Sequence, residues 1–120
     1  MKTEGKMSVT KIFKFCAGHH LPGHPKCGQY HGHNYILEVE LEGSVEENGM
    51  VVDFGEMKSH IQPIIDVLDH RNLNEISGLQ FPTAENILYW VGEELEKRYK
   101  NIIRMRLWET DTSFAEWRRA

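Results

Sequence analysis

The sequence lacks several features that mark common classes of protein. Two cysteines, Cys16 and Cys27, are too few for a disulfide-built scaffold. No apolar run approaches the roughly 18 residues of a transmembrane helix, and no charged leader runs into an apolar stretch with a cleavage site. The 14 Lys and Arg residues are scattered and the net charge is −4, so no nucleic-acid surface is indicated. These absences predict a cytoplasmic protein with reduced thiols and a small-molecule partner.

Histidine, by contrast, is concentrated in one part of the chain. Five of the 7 histidines fall between positions 19 and 33. With 120 residues the chain can form one domain with one core, which we place at residues 8–120, after a loose N-terminus at residues 1–7. Histidine-rich loops also occur as solvated surface, so the spacing of these residues has to decide what they do.

The segment CGQYHGHN, from Cys27 to Asn34, leads directly into an alternating strand that ends at Gly43. On an extended chain His31 and His33 share a face, about 6.6 Å apart at the backbone, and apolar residues continue that face. Two imidazoles on a buried face need a partner, because an unpaired buried polar group costs about 1–3 kcal/mol. A metal ion would supply it. The competing interpretation is a turn in which each histidine bonds locally.

A third histidine is expected from the preceding strand, whose alternation places His19 on the inner face. The glycine- and proline-rich loop GHHLPGHPK should then turn the chain back and bring His19 close to His31 and His33. His20 and His24 are rivals for this place, but His20 should point away and His24 lies in the middle of the loop. Three histidines leave the fourth position of a zinc ion open, as in catalytic sites.

Periodicity in the rest of the chain predicts two helices followed by two strands. Asp53 starts a helix that contains Pro63, which should kink it, and Thr83 caps a second helix. Residues 50–53 should be a short extended segment, residues 72–82 a loop, and residues 114–119 the last strand. The predicted order is β-β-α-α-β-β, an α+β fold. The expected core faces are Val9, Phe13, Phe15 and Ala17 in the first strand, Tyr35, Leu37, Val39 and Leu41 in the second, Met57, Ile61, Ile64 and Leu68 in the first helix, Ala84, Ile87, Leu88, Val91 and Leu95 in the second, and Ile103, Met105 and Leu107 in the third strand.

Three further groups are candidates for chemistry. Cys27 lies four residues before His31, where a metal ion or imidazolium would favour its thiolate; it can also be read as a fourth ligand of a closed structural site, together with Cys16. The pair Asp69-His70 can form an oriented imidazole, or simply a polar helix end. Glu109 ends an apolar row and can bind a planar edge with two donors, or pair with an arginine.

In combination, six segments resemble the 6-pyruvoyl-tetrahydropterin synthase family, and more closely its branch that makes 6-carboxy-5,6,7,8-tetrahydropterin for queuosine biosynthesis. The segments are FCAGHHLP, CGQYHGH, GMVVDFGEMK, LDHRNLN, FPTAEN and RLWET, in this order along nearly the whole chain from Ser8. The resemblance implies a tunnelling fold (T-fold), in which four-stranded antiparallel sheets with two helices on one face join into an oligomeric barrel. It also implies a homo-oligomer, a hexamer by resemblance, with active sites between subunits.

The resemblance assigns roles by position. His19, His31 and His33 match the zinc ligands, Cys27 the catalytic proton acceptor, and Asp69 and His70 its relay partners. Glu109 matches the pterin anchor, and Thr83 is a further substrate-binding candidate. The implied reaction converts 7,8-dihydroneopterin triphosphate to 6-carboxytetrahydropterin, acetaldehyde and triphosphate. The three residues between Cys27 and His31 favour this carboxy branch over the pyruvoyl branch.

Alternatives remain at this stage. Triphosphate elimination that keeps the side-chain carbons, or an aldolase-like reaction on 7,8-dihydroneopterin, would use the same pterin site. A zinc-binding module without catalysis would need the histidines and Cys27 but neither Asp69-His70 nor Glu109. The triphosphate has only Lys14, Lys26 and Arg71 as candidate contacts, and Cys16 and His20 add metal-capable groups beside His19.

Overall fold

A computed structural model describes residues 3–120; residues 1 and 2, part of the predicted loose N-terminus, lie outside the described residues. Strands β1 and β2 are followed by helix α1, a short 3₁₀ helix, helix α2, and strands β3 and β4. Their bounds are Met7–His19 for β1, His31–Gly43 for β2, Phe54–Leu68 for α1, Leu73–Glu75 for the 3₁₀ helix, Ala84–Glu96 for α2, Ile102–Thr110 for β3 and Ser113–Arg118 for β4.

The four strands form one antiparallel sheet in the order β1-β2-β3-β4. Both helices pack on its apolar face, α1 mainly against β1 and α2 against β3 and β4. The predicted α+β architecture and element order are therefore confirmed. Between the layers lies a core in which most side chains are fully buried, among them Leu37, Val39, Leu41, Met57, Ile61, Leu68, Ile87, Val91, Leu95 and Leu107.

The first strand is longer than the sequence indicated, because Gly18 does not end it. Gly18 pairs with Gly32 in the β1-β2 ladder, and the strand continues to His19. The position suits glycine because a Cβ there would collide with the ring and hydroxyl of Tyr30. On the outer side, the Gly18 N–H donates to the Arg71 carbonyl oxygen at 3.0 Å. The glycine read as a loop signal instead makes room for an aromatic ring.

A β-bulge changes which residues of β3 face the core. One register shift lies opposite Glu40 and Leu41, so that Leu41 pairs with Ile102 and Ile103 is the extra residue. The predicted core residue Ile103 is consequently only half-buried, and Ile102 is fully buried in its place. A bulge inserts one extra residue into the strand, so side chains before and after it no longer follow a single alternation between the two faces.

Other departures from the predicted pattern are local. In α1 Ile65 is fully buried together with Met57, Ile61 and Leu68, while the predicted Ile64 is only partly buried against the core. Pro63 lies inside α1 without ending it. Val51 and Val52 form a bend within the segment 50–53 that was expected to be extended. The loop at 72–82 contains the 3₁₀ helix, and β4 begins at Ser113 and ends at Arg118.

The other face of the sheet is polar and carries ion pairs. Arg104 lies at its centre, with its guanidinium 2.6 Å from Glu40, 3.0 Å from Glu38 and 3.4 Å from Glu116. Trp108 Nε1 donates to Glu38 at 2.8 Å. These contacts confirm the predicted alternation of β2, with glutamates opposite the core. Within residues 3–120, no helix has both the length and the apolar character needed to span a membrane.

Thr83 caps α2 as predicted, because its hydroxyl oxygen accepts the backbone N–H of Asn86 at 3.1 Å. Thr83→Ala should therefore lower the free energy of unfolding by about 0.5–2 kcal/mol, the usual loss for such a cap. Thr83→Ser keeps the acceptor and is the matched control. Urea titration followed by circular dichroism measures both variants, and equal stability of Thr83→Ala and wild type would contradict the capping role.

Candidate metal centre and active site

The end of the β1-β2 ladder brings three histidines together. His19 pairs directly with His31 across the two strands, and His33 lies two residues further along the same face of β2. One ring nitrogen from each of the three lies within 4.8 Å of the others. His19 is fully buried, while His31 and His33 are half-buried. The sheet register, rather than the loop between the strands, thus sets the spacing of the cluster.

Backbone carbonyls fix which nitrogen faces the centre of the cluster. His19 Nδ1 donates to the Pro82 oxygen at 2.8 Å, and His31 Nδ1 donates to the Gln29 oxygen at 2.7 Å. A carbonyl only accepts, so both neutral rings carry their proton on Nδ1 and a lone pair on Nε2. The two Nε2 atoms lie 3.1 Å apart. Two lone pairs at this distance need a proton or a cation between them.

His33 supplies the third lone pair. Its Nε2 is a buried nitrogen without a hydrogen-bond partner, the only such side-chain atom within residues 3–120. Glu109 Oε1 lies 3.4 Å away, too poorly aligned for a hydrogen bond but close enough for charge attraction. An orphaned buried nitrogen beside two inward lone pairs fits a zinc ion, whose tetrahedral ligands at about 2.0–2.1 Å stand about 3.3 Å apart. The residues present therefore fit this metal.

Burial favours the neutral forms of His19 and His33. Desolvation lowers the pKa of His19 below its usual 6.5, although the Pro82 carbonyl and Glu109 act in the opposite direction. Desolvation also lowers the pKa of His33, again opposed by Glu109 and reinforced by His31. A lowered pKa leaves the lone pairs free for a metal at neutral pH, because protons compete with the metal only under more acidic conditions.

These shifts predict how the metal-free protein responds to acid. In the window between the lowered pKa values and 6.5, the unfolded chain binds more protons than the folded chain. The free energy of unfolding should therefore fall as the pH drops through 6.5, by at most about 1.4 kcal/mol per pH unit for each histidine. Thermal unfolding of chelator-treated protein between pH 7.5 and 5.5 measures this. The variant carrying His19→Gln and His33→Gln should lose that dependence, and a melting temperature that rises on acidification would contradict it.

Outer contacts of the cluster were not visible in the sequence. The Tyr35 hydroxyl lies 3.4 Å from His19 Nδ1, in a fully buried position where the Tyr35 ring stacks on Phe15. Desolvation, with the charge of Glu109, raises the pKa of Tyr35, so the phenol stays protonated. Such second contacts orient metal ligands. In the sequence, only the alternation of the second strand indicated that Tyr35 faces the same side as the histidines. The Pro82 and Gln29 carbonyls could not be predicted, because every residue has a backbone carbonyl.

Asp69 and His70 form the pair expected from the sequence. His70 Nδ1 lies 3.0 Å from Asp69 Oδ1, and the same oxygen accepts the backbone N–H of Cys16 at 3.0 Å. That backbone bond, more than His70, holds the pKa of Asp69 below its usual value. The ionised carboxylate therefore orients the ring, since it can only accept the Nδ1 proton. Nε2 is left as the basic nitrogen of His70.

The backbone of His70 is held in an uncommon conformation. Its φ of 58° lies in the left-handed region, and its N–H donates to the Cys16 carbonyl oxygen at 2.6 Å. Both backbone groups of Cys16 are thus bound by the Asp69-His70 pair at the outer edge of β1. His70 and His33 line one open cleft of about 440 Å³ on this side of the molecule. Bonds to the edge strand β1 therefore hold the Asp69-His70 pair in position, which a simple polar helix end would not require.

Glu109 is positioned by the second bulge of β3. Trp108 pairs with Phe114 and Thr110 pairs with Ser113, which leaves Glu109 as the extra residue. Bulges next to functional sites redirect a side chain. Here the carboxylate lies between His33 and a cleft of about 440 Å³ beside the start of α2, which Thr83 caps. The polar residues that line this cleft with Glu109 are Glu85, Ser113 and Glu116.

Cys27 has no hydrogen bond or ion pair to these groups within residues 3–120. It is half-buried in the loop after β1. Cys16 Sγ donates to Asn34 Oδ1 at 2.9 Å. His20 binds Asn74 through its backbone. The triphosphate candidates Lys14, Lys26 and Arg71 are all exposed, and no contact within the chain joins them into a clamp among the described residues.

Comparison with known proteins identifies the family of this chain. The family model described as 6-pyruvoyl tetrahydropterin synthase matches residues 8–120. The chain belongs to this family.

Similar proteins carry the names of more than one pterin enzyme. A relative from Archaeoglobus fulgidus, named provisionally as a 6-carboxy-5,6,7,8-tetrahydropterin synthase, is 41% identical over 116 residues, which cover 97% of this chain and 99% of that protein. The 6-carboxy-5,6,7,8-tetrahydropterin synthase of Synechocystis is 37% identical, with 91% of each chain covered. The dihydroneopterin monophosphate aldolase of Pyrococcus furiosus is 38% identical over 84 residues, covering 68% of this chain and 71% of that protein.

The fold agrees with this family. The structure of Caenorhabditis elegans 6-pyruvoyl tetrahydropterin synthase superposes with a TM-score of 0.88 at 25% identity and covers 100% of both chains. The predicted T-fold is thereby confirmed for the protomer.

Proposed function

We propose that the protein is a zinc-dependent 6-carboxy-5,6,7,8-tetrahydropterin synthase of the queuosine (7-deazapurine) pathway, a cytoplasmic lyase with its site in the domain of residues 8–120. The proposed reaction consumes 7,8-dihydroneopterin triphosphate and water and releases 6-carboxytetrahydropterin, acetaldehyde and triphosphate. The observation that carries the proposal is the unpartnered Nε2 of His33, buried beside the inward Nε2 atoms of His19 and His31. The names of the relatives that span most of the chain support this choice among pterin reactions.

His19, His31 and His33 would hold the zinc ion through their Nε2 atoms. Bound zinc would act as a Lewis acid that acidifies the hydroxyls of the substrate side chain and polarises the carbonyl that develops. The Nδ1 bonds to Pro82 and Gln29 keep the rings of His19 and His31 in one orientation. The three ligands leave a position for the substrate, which is what separates a catalytic from a closed structural zinc site.

Proton transfer falls to Cys27 and to the Asp69-His70 pair. The Cys27 thiolate accepts a proton from the substrate side chain, and His70 Nε2 holds and returns protons while Asp69 keeps the proton on Nδ1. His70 suits this role because its side chain is 80% exposed at the cleft that it shares with His33. A purely structural zinc module would have no use for an oriented imidazole at this place.

Glu109 would anchor the pterin. A carboxylate can accept two parallel hydrogen bonds from the N–H and amino groups on the edge of a pterin ring. The side chain is 29% exposed and lies within 3.4 Å of His33, so it can face the ring while the substrate side chain reaches the zinc ligands. Thr83, at the start of α2 beside the same cleft, is a further substrate contact in this proposal, since its hydroxyl proton is not used in capping.

The proposal includes an assembly, because no hydrogen bond or ion pair within residues 3–120 joins Cys27 to His70. In residues 3–120, β4 and the part of β1 before Cys16 pair with one neighbouring strand only, whereas residues 69–72 bind the outer edge of β1 from Cys16 to Gly18. Such free strand edges invite pairing with another chain. We expect a homo-oligomer, a hexameric barrel by resemblance, whose interfaces complete the sites. Sedimentation velocity at micromolar concentration should show it, and a stable monomer would contradict it.

The reaction itself is tested by product analysis. Zinc-loaded protein is incubated with 7,8-dihydroneopterin triphosphate, the pterins are identified by mass spectrometry, and acetaldehyde is measured with alcohol dehydrogenase and NADH. Acetaldehyde and triphosphate in equal amounts are the expected result. Triphosphate without acetaldehyde would overturn the assignment in favour of the 6-pyruvoyl reaction.

A second candidate is an aldolase acting on a dihydroneopterin, favoured by the similarity to the Pyrococcus furiosus enzyme. Retro-aldol cleavage of 7,8-dihydroneopterin monophosphate would give 6-hydroxymethyl-7,8-dihydropterin and glycolaldehyde phosphate, without release of the phosphate. The same zinc ligands and pterin anchor would serve it. Turnover of the monophosphate at a higher kcat/KM than the triphosphate would favour the aldolase.

A further inference from the structure

The loop between β1 and β2 is closed by its own backbone. We define the Cys27 loop as residues 21–28. The Leu21 N–H donates to the Cys27 oxygen at 2.7 Å, the His24 N–H to the Leu21 oxygen at 3.1 Å, and the Gly28 N–H to the His24 oxygen at 2.9 Å. Each of these bonds involves His24 or Cys27. Residues 21–28 contain no helix or strand, so these local hydrogen bonds determine the position of the Cys27 backbone.

The side chain of His24 adds the remaining bonds of this loop. Its Nδ1 accepts the backbone N–H of Cys27 at 2.8 Å and that of Lys26 at 3.2 Å. An atom that accepts two N–H groups carries no proton, so a neutral His24 has its proton on Nε2. This tautomer is opposite to that of His19 and His31, whose Nδ1 atoms face carbonyls. His24 thus acts as a hydrogen-bond acceptor, not as a member of the metal cluster.

Gly28 supports the same arrangement from the other side. A Cβ at this position would lie 2.5 Å from the His24 carbonyl oxygen, a backbone atom that cannot move without breaking the loop. Only glycine permits this close approach. The His24 ring on one side and the His24 carbonyl on the other therefore enclose the segment from Lys26 to Gly28.

We infer that His24 is a positioning residue for Cys27: its Nδ1 holds the Cys27 backbone so that the thiol is presented in one place to the site completed by a partner subunit. The inference rests on the proposed function, in which Cys27 takes a proton. It gives a role to a histidine that the metal site leaves unused. Proton transfer needs the acceptor within hydrogen-bond reach, and a displacement of about 1 Å can cost about 10²-fold in rate.

The test compares two replacements of His24. Asn places its Oδ1 on Cγ, as His places its Nδ1, so His24→Asn keeps an acceptor for both amides. Phe keeps a ring without an acceptor. His20→Ala is the control, because the contacts of His20 to Asn74 use only backbone atoms. Zinc content, kcat and KM of the full oligomer are measured for each variant, together with hydrogen exchange of the peptide that contains Cys27 and Gly28.

His24→Phe should retain zinc and KM within about twofold, lower kcat by about 10- to 100-fold, and speed exchange at Cys27 and Gly28 by about tenfold. His24→Asn should restore both kcat and exchange to within about threefold of wild type. Gly28→Ala, which disturbs the loop from the other side, should behave like His24→Phe. His20→Ala should match wild type in all four measurements.

Equal losses in His24→Asn and His24→Phe would overturn the inference, because the acceptor would then not matter. Wild-type exchange in His24→Phe would overturn it as well, and loss of zinc in that variant would show that His24 is a ligand. Failure of the proposed function looks different. If wild type makes no acetaldehyde, or if Cys27→Ala remains active, the assignment of the reaction or of Cys27 falls, while hydrogen exchange still decides whether His24 Nδ1 holds the loop.

Discussion

His19→Ala should strip the protein of zinc and abolish turnover. His19 is fully buried and its Nε2 lies 3.1 Å from that of His31, so the variant removes one of the three proposed zinc ligands. Loss of a ligand lowers affinity by orders of magnitude, and loss of the metal removes several kcal/mol of transition-state stabilisation, or about 10³-fold or more in rate. Metal analysis after dialysis should give close to one zinc per chain for wild type and close to none for the variant.

The controls for this experiment come from the same stretch of sequence. His20→Ala and His24→Ala remove the two rival histidines and should retain zinc, because neither ring belongs to the cluster of His19, His31 and His33. His31→Ala and His33→Ala should behave like His19→Ala. His19→Gln fills more of the buried space and separates loss of metal from loss of fold. Stoichiometric zinc in His19→Ala would refute the ligand assignment.

The sequence was sufficient for the histidine cluster because strand alternation is a short-range rule. His31 and His33 have the same parity on one strand, and His19 has the inward parity on its neighbour, so their convergence needs only that the two strands pair in register. The helix start at Thr83 is equally local, since the hydroxyl and the amide that it accepts are three residues apart. Features set within a few residues could be predicted.

Features that depend on pairing with distant parts of the chain could not be predicted from the sequence. The bulge at Ile103 arises from pairing with Glu40 and Leu41, and nothing in the residues around Ile103 marks it. The bulge at Glu109 likewise depends on its pairing with β4. Alternation placed Glu109 at the end of the apolar row of its strand, but it gave no reason for the 3.4 Å approach to His33.

The Asp69-His70 pair shows the same limit. The dipeptide Asp69-His70 was a weak signal because such pairs often just end helices, and Asp69 does follow the last residue of α1. Its anchoring comes from the Cys16 N–H and carbonyl, backbone groups 53 and 54 residues away whose availability follows from β1 being an edge strand. A pattern of side chains cannot reveal hydrogen bonds to backbone N–H and carbonyl groups, because these groups occur throughout the chain.

Cys27→Ala should separate the catalyst from the zinc-binding module. If Cys27 is a proton acceptor, the variant keeps zinc and the folded oligomer but loses kcat by about 10²–10⁴-fold, the usual contribution of a positioned acid–base group, with KM little changed. Cys16→Ala is the matched control, since it removes the other thiol and leaves the backbone groups that bind Asp69 and His70. Zinc content, sedimentation and steady-state kinetics are measured on both variants.

Alkylation of Cys27 by iodoacetamide at pH 7 tests the same assignment without turnover. A nearby zinc ion that is not bound to the thiol favours the reactive thiolate, so removal of zinc should slow the modification of Cys27. The rate for Cys16, followed by mass spectrometry in the same sample, reports any general change in access, because that thiol is exposed and bonded to Asn34. Direct coordination of zinc by Cys27 would give the opposite results in the two experiments. Alkylation would become faster when zinc is removed, because the sulfur is then uncovered. Cys27→Ala would also lose the metal. That pair of outcomes would identify Cys27 as a ligand and the site as a structural zinc centre, since four protein ligands leave no position for a substrate.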